Sequence, residues 1–180
     1  MDTLKAIALR KSTRSYQQKP VEADKIEQLI AAANNAPKAG TFHISVIENA
    51  DVLKKLNDVT LHAMKNSGNE FLMGRAALEG YQPLYGAPLL FLLTAPDGGP
   101  YNAANTSGAA ANITIAATAL ELGSCYVVSP ILGLNGNSEL SGKIGIPAGF
   151  SPVCGVLVGY SAGDKFSTPK STEDNVNYCK

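Results

Sequence analysis

A chain of 180 residues with 15 basic and 15 acidic side chains is long enough to bury a core, and it carries no bulk field that would draw it to nucleic acid or an acidic membrane surface. Cys125, Cys154 and Cys179 are odd in number, widely spaced and without a C-x-x-C, which argues against a disulfide framework or structural zinc and fits reduced thiols in a cytosol. Asp2, Lys5 and Arg10 interrupt the N-terminus and the most apolar run, Ala87 to Leu93, is short, so neither a signal peptide nor a membrane span of roughly 20 residues is read. The expectation is a cytoplasmic protein with one domain over residues 1–180.

Residues 2–10 put Leu4, Ile7 and Ala8 on one side of a helix. The pattern stops at Arg10-Lys11-Ser12-Thr13-Arg14-Ser15-Tyr16, where three cations stand among hydroxyls. Guanidinium forks grip a phosphate through paired charge-assisted hydrogen bonds, Lys11 adds a point charge and Ser12 or Thr13 supplies neutral donors. The cluster therefore reads as an anion seat, although a solvated basic face would leave the same trace.

After Lys19-Pro20, Glu22 and Asp24 load the first turn of a helix whose stripe is Ile26, Leu29, Ile30 and Ala33. A small-residue loop, Pro37-Lys38-Ala39-Gly40-Thr41, leads into a strand from His43 to Glu48. Asp51 opens a third helix with Val52, Leu56, Val59 and Ala63 on its stripe, ending at Asn66-Ser67-Gly68-Asn69. Phe71, Leu72, Met73 and Leu78 suggest more helix, and Tyr81 to Gly86 a loop. Leu89 to Leu93 is a continuous apolar run, the mark of a strand covered on both faces in mid-sheet. An alanine-rich helix from about Ala103 to Leu122 follows, then a strand from Cys125 to Val128, a loop from Pro130 to Gly136, a helix from Ser138 to Ile144 and a last strand from Val153 to Tyr160. The final twenty residues read as an arm. Strands and helices alternate without a fixed repeat, so the class is α+β or α/β, with one mixed β-sheet flanked by helices.

Motifs with known chemistry fail on context. Gly159-Tyr160-Ser161-Ala162-Gly163 matches G-x-S-x-G, but no acid and histidine follow it, since His43 and His62 lie upstream. Gly136 to Lys143 has one residue too many for a P-loop and lacks its magnesium-binding hydroxyl. There is no G-x-G-x-x-G after a strand, and two isolated histidines make no metal site. What remains is anion and dipole donors without an acid, base or nucleophile, the pattern expected where a cofactor carries the reaction.

Together these pieces resemble the nitroreductase family of FMN-dependent oxidoreductases. Arg10 to Tyr16 looks like that family's opening R-x-S-x-R-x-[FY], and Lys19-Pro20-Val21 follows in place. Ala36-Pro37, the Asn66 to Phe71 stretch, Leu122-Gly123-Ser124-Cys125, Pro130-Ile131-Leu132-Gly133 and Gly159-Tyr160 before a basic arm complete the likeness. The resemblance implies a homodimer with exchanged C-terminal arms, FMN as cofactor, NADH or NADPH as transient electron donor, and a small electrophilic acceptor such as a nitroaromatic or quinone. It would place Arg10, Lys11, Ser12, Arg14 and Lys170 on the phosphate and ribityl chain. Pro37, Lys38, Ala39, Gly40 and Thr41 would run along the flavin from the partner subunit, and Asn66 or Asn69 would reach its pyrimidine edge. Pro130, Ile131, Leu132 and Gly133 would lie by N5. The Pro37 loop is about three residues shorter than the family pattern, and Leu132 stands where Glu is common. These departures leave open a flavin-binding or flavin-responsive protein with little turnover.

Overall fold

The structure is a computed structural model that describes residues 1–168 and 175–179. Helix α1, Thr3–Leu9, is started by Asp2, whose carboxylate accepts from the Lys5 amide at 3.0 Å. Helix α2, Ala23–Asn34, buries Ile26, Leu29 and Ala33 and leads to strand β1, His43–Ile47. Helix α3, Ala50–Lys65, is capped by Asn49, and the shorter α4, Glu70–Ala76, follows. Strand β2, Leu89–Pro96, precedes helix α5, Asn102–Ala119, and strand β3, Gly123–Val127. Helices α6, Pro130–Leu134, and α7, Ser138–Ile144, lead to strand β4, Phe150–Gly159.

The strands form one sheet in the order β1-β2-β4-β3 with antiparallel ladders throughout. Its one described parallel pairing is a bridge from Ser12, outside the named strands, to Ser124 on β3. As expected for an uninterrupted apolar run, β2 lies inside the sheet, with Leu89 to Leu93 no more than 1% exposed. Alternation along it divides the core in two. Leu89, Phe91 and Leu93 join Ile26, Leu29, Ala109, Ala110 and Ile113 of α2 and α5 on one face. Leu90 and Leu92 join Leu53, Leu56, Leu134, Leu140 and Ile144 of α3, α6 and α7 on the other.

Helix α5 is covered on most sides, which its small side chains permit. At Gly108 an added Cβ would stand 3.9 Å from both the Ala36 side chain and the Pro37 carbonyl. Helix α2 is also tied to β4, because Lys25 donates to the Tyr160 hydroxyl at 2.8 Å.

Several boundaries differ from expectation for identifiable reasons. Helix α5 stops at Ala119, and Glu121 takes a left-handed conformation (φ 61°) that turns the chain so that Gly123 begins β3 instead of ending the helix. The buried row of α3 is Leu53, Leu56, Thr60 and Met64, one residue round from the expected stripe. Pro130 to Leu134 is a helix and not a loop, with proline at its first position where the missing N–H costs nothing. Leu4 and Ile7 of α1 are 79% and 50% exposed, and only Ala6 of that helix is buried.

Candidate functional site

The basic cluster begins where α1 ends. Arg10 caps the helix with extended backbone (ψ 132°), its amide donating to the Ala6 carbonyl. The chain then lies across the end of the sheet: the Thr13 amide donates to the Ser124 carbonyl at 2.8 Å, and the Gln17 amide to the Tyr160 carbonyl at 2.8 Å. Thr13 points inward against Gly123, where a Cβ would come within 2.6 Å of its hydroxyl, so that position needs glycine for the close approach. Tyr16 is buried and donates to the Thr13 carbonyl at 3.0 Å. Burial above all pushes its phenol well over the ordinary value, so it stays a neutral donor.

This arrangement leaves Lys11, Ser12, Thr13, Arg14 and Ser15 lining a concavity of about 260 Å³ together with Ser161, Gly163 and Asp164. Asp164 brings a carboxylate to the wall, yet Arg10, Lys11 and Arg14 form no ion pair among the described residues. Like those of Ser45, Thr60 and Thr94 elsewhere, the buried hydroxyls of Thr13 and Ser124 behind the concavity lack hydrogen-bond partners. Next to them, burial raises the Cys125 thiol, opposed by the charge of Arg14, a hydrogen bond from Ser12 and, more weakly, the charges of Arg10 and Arg75.

The remaining expected residues fall elsewhere within one chain. Pro37, Lys38, Ala39, Gly40 and Thr41 are exposed and do not line this concavity. Their loop is fixed by a residue that the sequence did not single out. Asn105 on α5 accepts from the Ala39 amide and donates to the Ala39 carbonyl, both at 2.9 Å, so Ala39 has its backbone polar groups engaged. Lys38 places its ammonium 5.0 Å from the centre of the Phe42 ring.

Asn66 and Asn69 serve first as helix caps. Asn66 ends α3 and its side chain donates to the His62 carbonyl at 2.8 Å; Asn69 starts α4, its side chain accepting from the Leu72 amide at 3.1 Å. The Asn66 amide oxygen and the Asn69 amide nitrogen take no part in these caps. Pro130 and Gly133 are buried, Ile131 and Leu132 half-buried. Gly133 faces α3, where a Cβ would collide with the Thr60 hydroxyl. With Leu132 it lines a separate cavity of about 390 Å³ that includes His62, Asn137 and Glu139. Lys170 lies outside the described residues. A larger cavity of about 490 Å³, between α3 and the segment before β2, contains no residue of the basic cluster.

The residue the sequence missed is Asn105, which is joined to the Pro37 loop only by the fold. Ser124 had a faint signal, since it sits in the Gly-Ser-Cys entry to a strand.

The sequence model described as the nitroreductase family matches residues 7–160. The chain belongs to that family. No curated protein matches it. Among solved structures, a nitroreductase with bound FMN from Bacteroides fragilis superposes with a TM-score of 0.90 at 23% identity, covering 100% of both chains. A second with bound FMN, from Desulfitobacterium hafniense, gives 0.90 at 22% identity over 100% of both. An FMN-dependent nitroreductase from Clostridium difficile gives 0.82 at 21% over 99% of each. At these identities the nitroreductase likeness is one of fold, and the four-stranded sheet with helices on both faces is that of the family. Among the described residues no helix is long and apolar enough to cross a membrane.

Proposed function

We propose that this nitroreductase-family chain is an FMN-dependent oxidoreductase of one domain that draws a hydride from NADH or NADPH and reduces an electrophilic acceptor such as a nitroaromatic or quinone. The observation that carries the reading is the cation cluster at the sheet end, with Arg10, Lys11 and Arg14 outside any described ion pair and orphaned hydroxyls on Thr13 and Ser124 behind them. A phosphate monoester carries nearly two negative charges near neutrality, which this donor set suits in both charge and hydrogen-bonding capacity.

In this reading Arg10 and Arg14 hold the phosphate through guanidinium forks, Lys11 adds charge, and Ser12 donates to the ribityl chain. When bound, FMN supplies the hydride-accepting and hydride-donating centre. The protein contributes binding, orientation and a fixed positive field: Lys11, or Lys38 brought by a partner subunit, favours the anionic form of the reduced cofactor without reorganising. The acceptor's proton comes from solvent, since Asp164 is the one carboxylate among the described residues that line the concavity.

A homodimer completes the site. Leu4 and Ile7 of α1 and Tyr126 and Val128 at β3 are exposed apolar groups on segments around the basic cluster, and such faces are normally covered. The Pro37 to Thr41 loop is then contributed across the two-fold interface to the other subunit's site.

The absorption spectrum tests the reading directly. Purified protein is expected to be yellow and to bleach when NADH or NADPH is added anaerobically; colourless protein that takes up no FMN overturns it. Replacing both Arg10 and Arg14 by Ala is expected to weaken FMN binding about a hundredfold or more with an unchanged urea midpoint, read by flavin fluorescence titration.

A further inference from the structure

The segment after β4 supplies part of the wall of the basic concavity, and one of its groups has the wrong charge for a general anion seat. Residues 161–167 run back along residues 9–17. The Ala162 amide donates to the Ser15 carbonyl at 3.0 Å, the Ser167 amide to the Leu9 carbonyl at 2.8 Å, and the Gln17 side chain to the Ser161 carbonyl at 2.9 Å. The buried Ser161 hydroxyl lies 3.2 Å from the Gly163 carbonyl and 3.3 Å from that of Asp164, closing the turn. Lys165 is paired with Glu121 at 3.3 Å. Asp164 therefore stands on a braced wall, and the cation next to it in the chain is engaged elsewhere.

The concavity of about 260 Å³ is lined by this carboxylate together with Lys11 and Arg14. Charges of both signs share one hollow, yet no ion pair joins them among the described residues. They are held apart, with a small oxyanion's width of space between them.

Cations and hydroxyls by themselves accept any oxyanion. A carboxylate changes the selection. When ionised it only accepts, so a ligand oxygen beside it must bring a proton, and an unprotonated oxygen is repelled. A terminal phosphate meets this condition, because its second ionisation falls at about pH 6 and one of its oxygens can carry the proton. Sulfate and the linked phosphates of a dinucleotide do not, having no proton left near neutrality.

We propose that Asp164 is a specificity-determining residue that restricts the seat to a terminal phosphate, against sulfate and against a diphosphate diester. Applied to the flavin reading above, on which this last step rests, Asp164 selects FMN over FAD: the terminal phosphate shares its proton with the carboxylate, whereas the second phosphate of FAD brings unprotonated oxygens to it.

Thermal melts of the purified protein in inorganic phosphate and in sulfate, at matched ionic strength and about pH 6, read the seat without flavin. Phosphate is expected to raise the midpoint at about tenfold lower concentration than sulfate. Asp164→Asn, whose amide donates to an unprotonated oxygen, should bring the two anions to within about twofold of each other, while Asp164→Glu should keep most of the difference. In flavin fluorescence titrations FMN is expected to bind at least about tenfold more tightly than FAD, and Asp164→Asn to narrow that ratio through tighter FAD. An equal response to phosphate and sulfate in the unsubstituted protein overturns the proposal. So does either preference, for phosphate or for FMN, that Asp164→Asn leaves unmoved. Protein that takes up no flavin but keeps an Asp164-dependent preference for phosphate sinks the flavin reading and supports the selectivity of the seat.

Discussion

Asn105 supports the Pro37 loop with a single side chain whose amide offers both a donor and an acceptor to the Ala39 backbone. It is 5% exposed, so truncation leaves two polar groups of the loop without partners in a half-enclosed place. Asn105→Ala is expected to cost about 1–3 kcal/mol, read as a lower urea midpoint, and to speed proteolysis at residues 37–41; an unchanged midpoint would remove the clamp from the account. None of this was legible in the sequence, because the partners stand 66 residues apart and a lone asparagine in an alanine-rich run carries no address. The basic cluster was legible because its charges are contiguous. Asn66 and Asn69 show the intermediate case: the sequence marked them as notable, but helix capping and ligand contact draw on the same amide chemistry, and the caps emerge only once α3 and α4 have defined ends.

Helices α2, α3, α5 and α7 could be read from periodicity and end signals, and β2 from its unbroken apolar run, since each pattern reflects burial that the fold then delivers. Helix α6 could not. Proline and glycine within five residues suggested a loop, while the decisive fact was the packing of α6 on α3. Gly133 is there for contact, not conformational freedom: a Cβ would meet the Thr60 hydroxyl, and the Thr60 amide nitrogen and Cα would stand at 2.8 and 2.9 Å. Gly133→Ala is therefore expected to destabilise by about 1–3 kcal/mol in thermal melts. Adding Thr60→Ala should not rescue it, because backbone atoms remain in the way; full recovery in the double variant would contradict this. The same contact explains why α3 turns Thr60 inward in place of the more apolar stripe containing Val59.

At the scale of the molecule, the alternation of elements narrowed the class to α+β or α/β, whereas the strand order β1-β2-β4-β3 was not legible, because inserting the last strand between two earlier ones leaves no local trace. The apolar side of α1 was legible as a helical stripe, and within one chain Leu4 and Ile7 stand exposed. Under the homodimer proposal, Leu4→Glu with Ile7→Glu should shift the particle to monomer mass in light scattering and lower flavin retention, with helical content unchanged. A double variant that remains dimeric would place the interface elsewhere. Ser12 and Thr13, finally, do more than carry an anion seat. By pairing with Ser124 they cover part of the outer edge of β3, which would otherwise present unpaired backbone to other chains. Peeling this segment away would uncover a strand edge open to intermolecular pairing, so whatever anchors the cluster also guards the protein against aggregation.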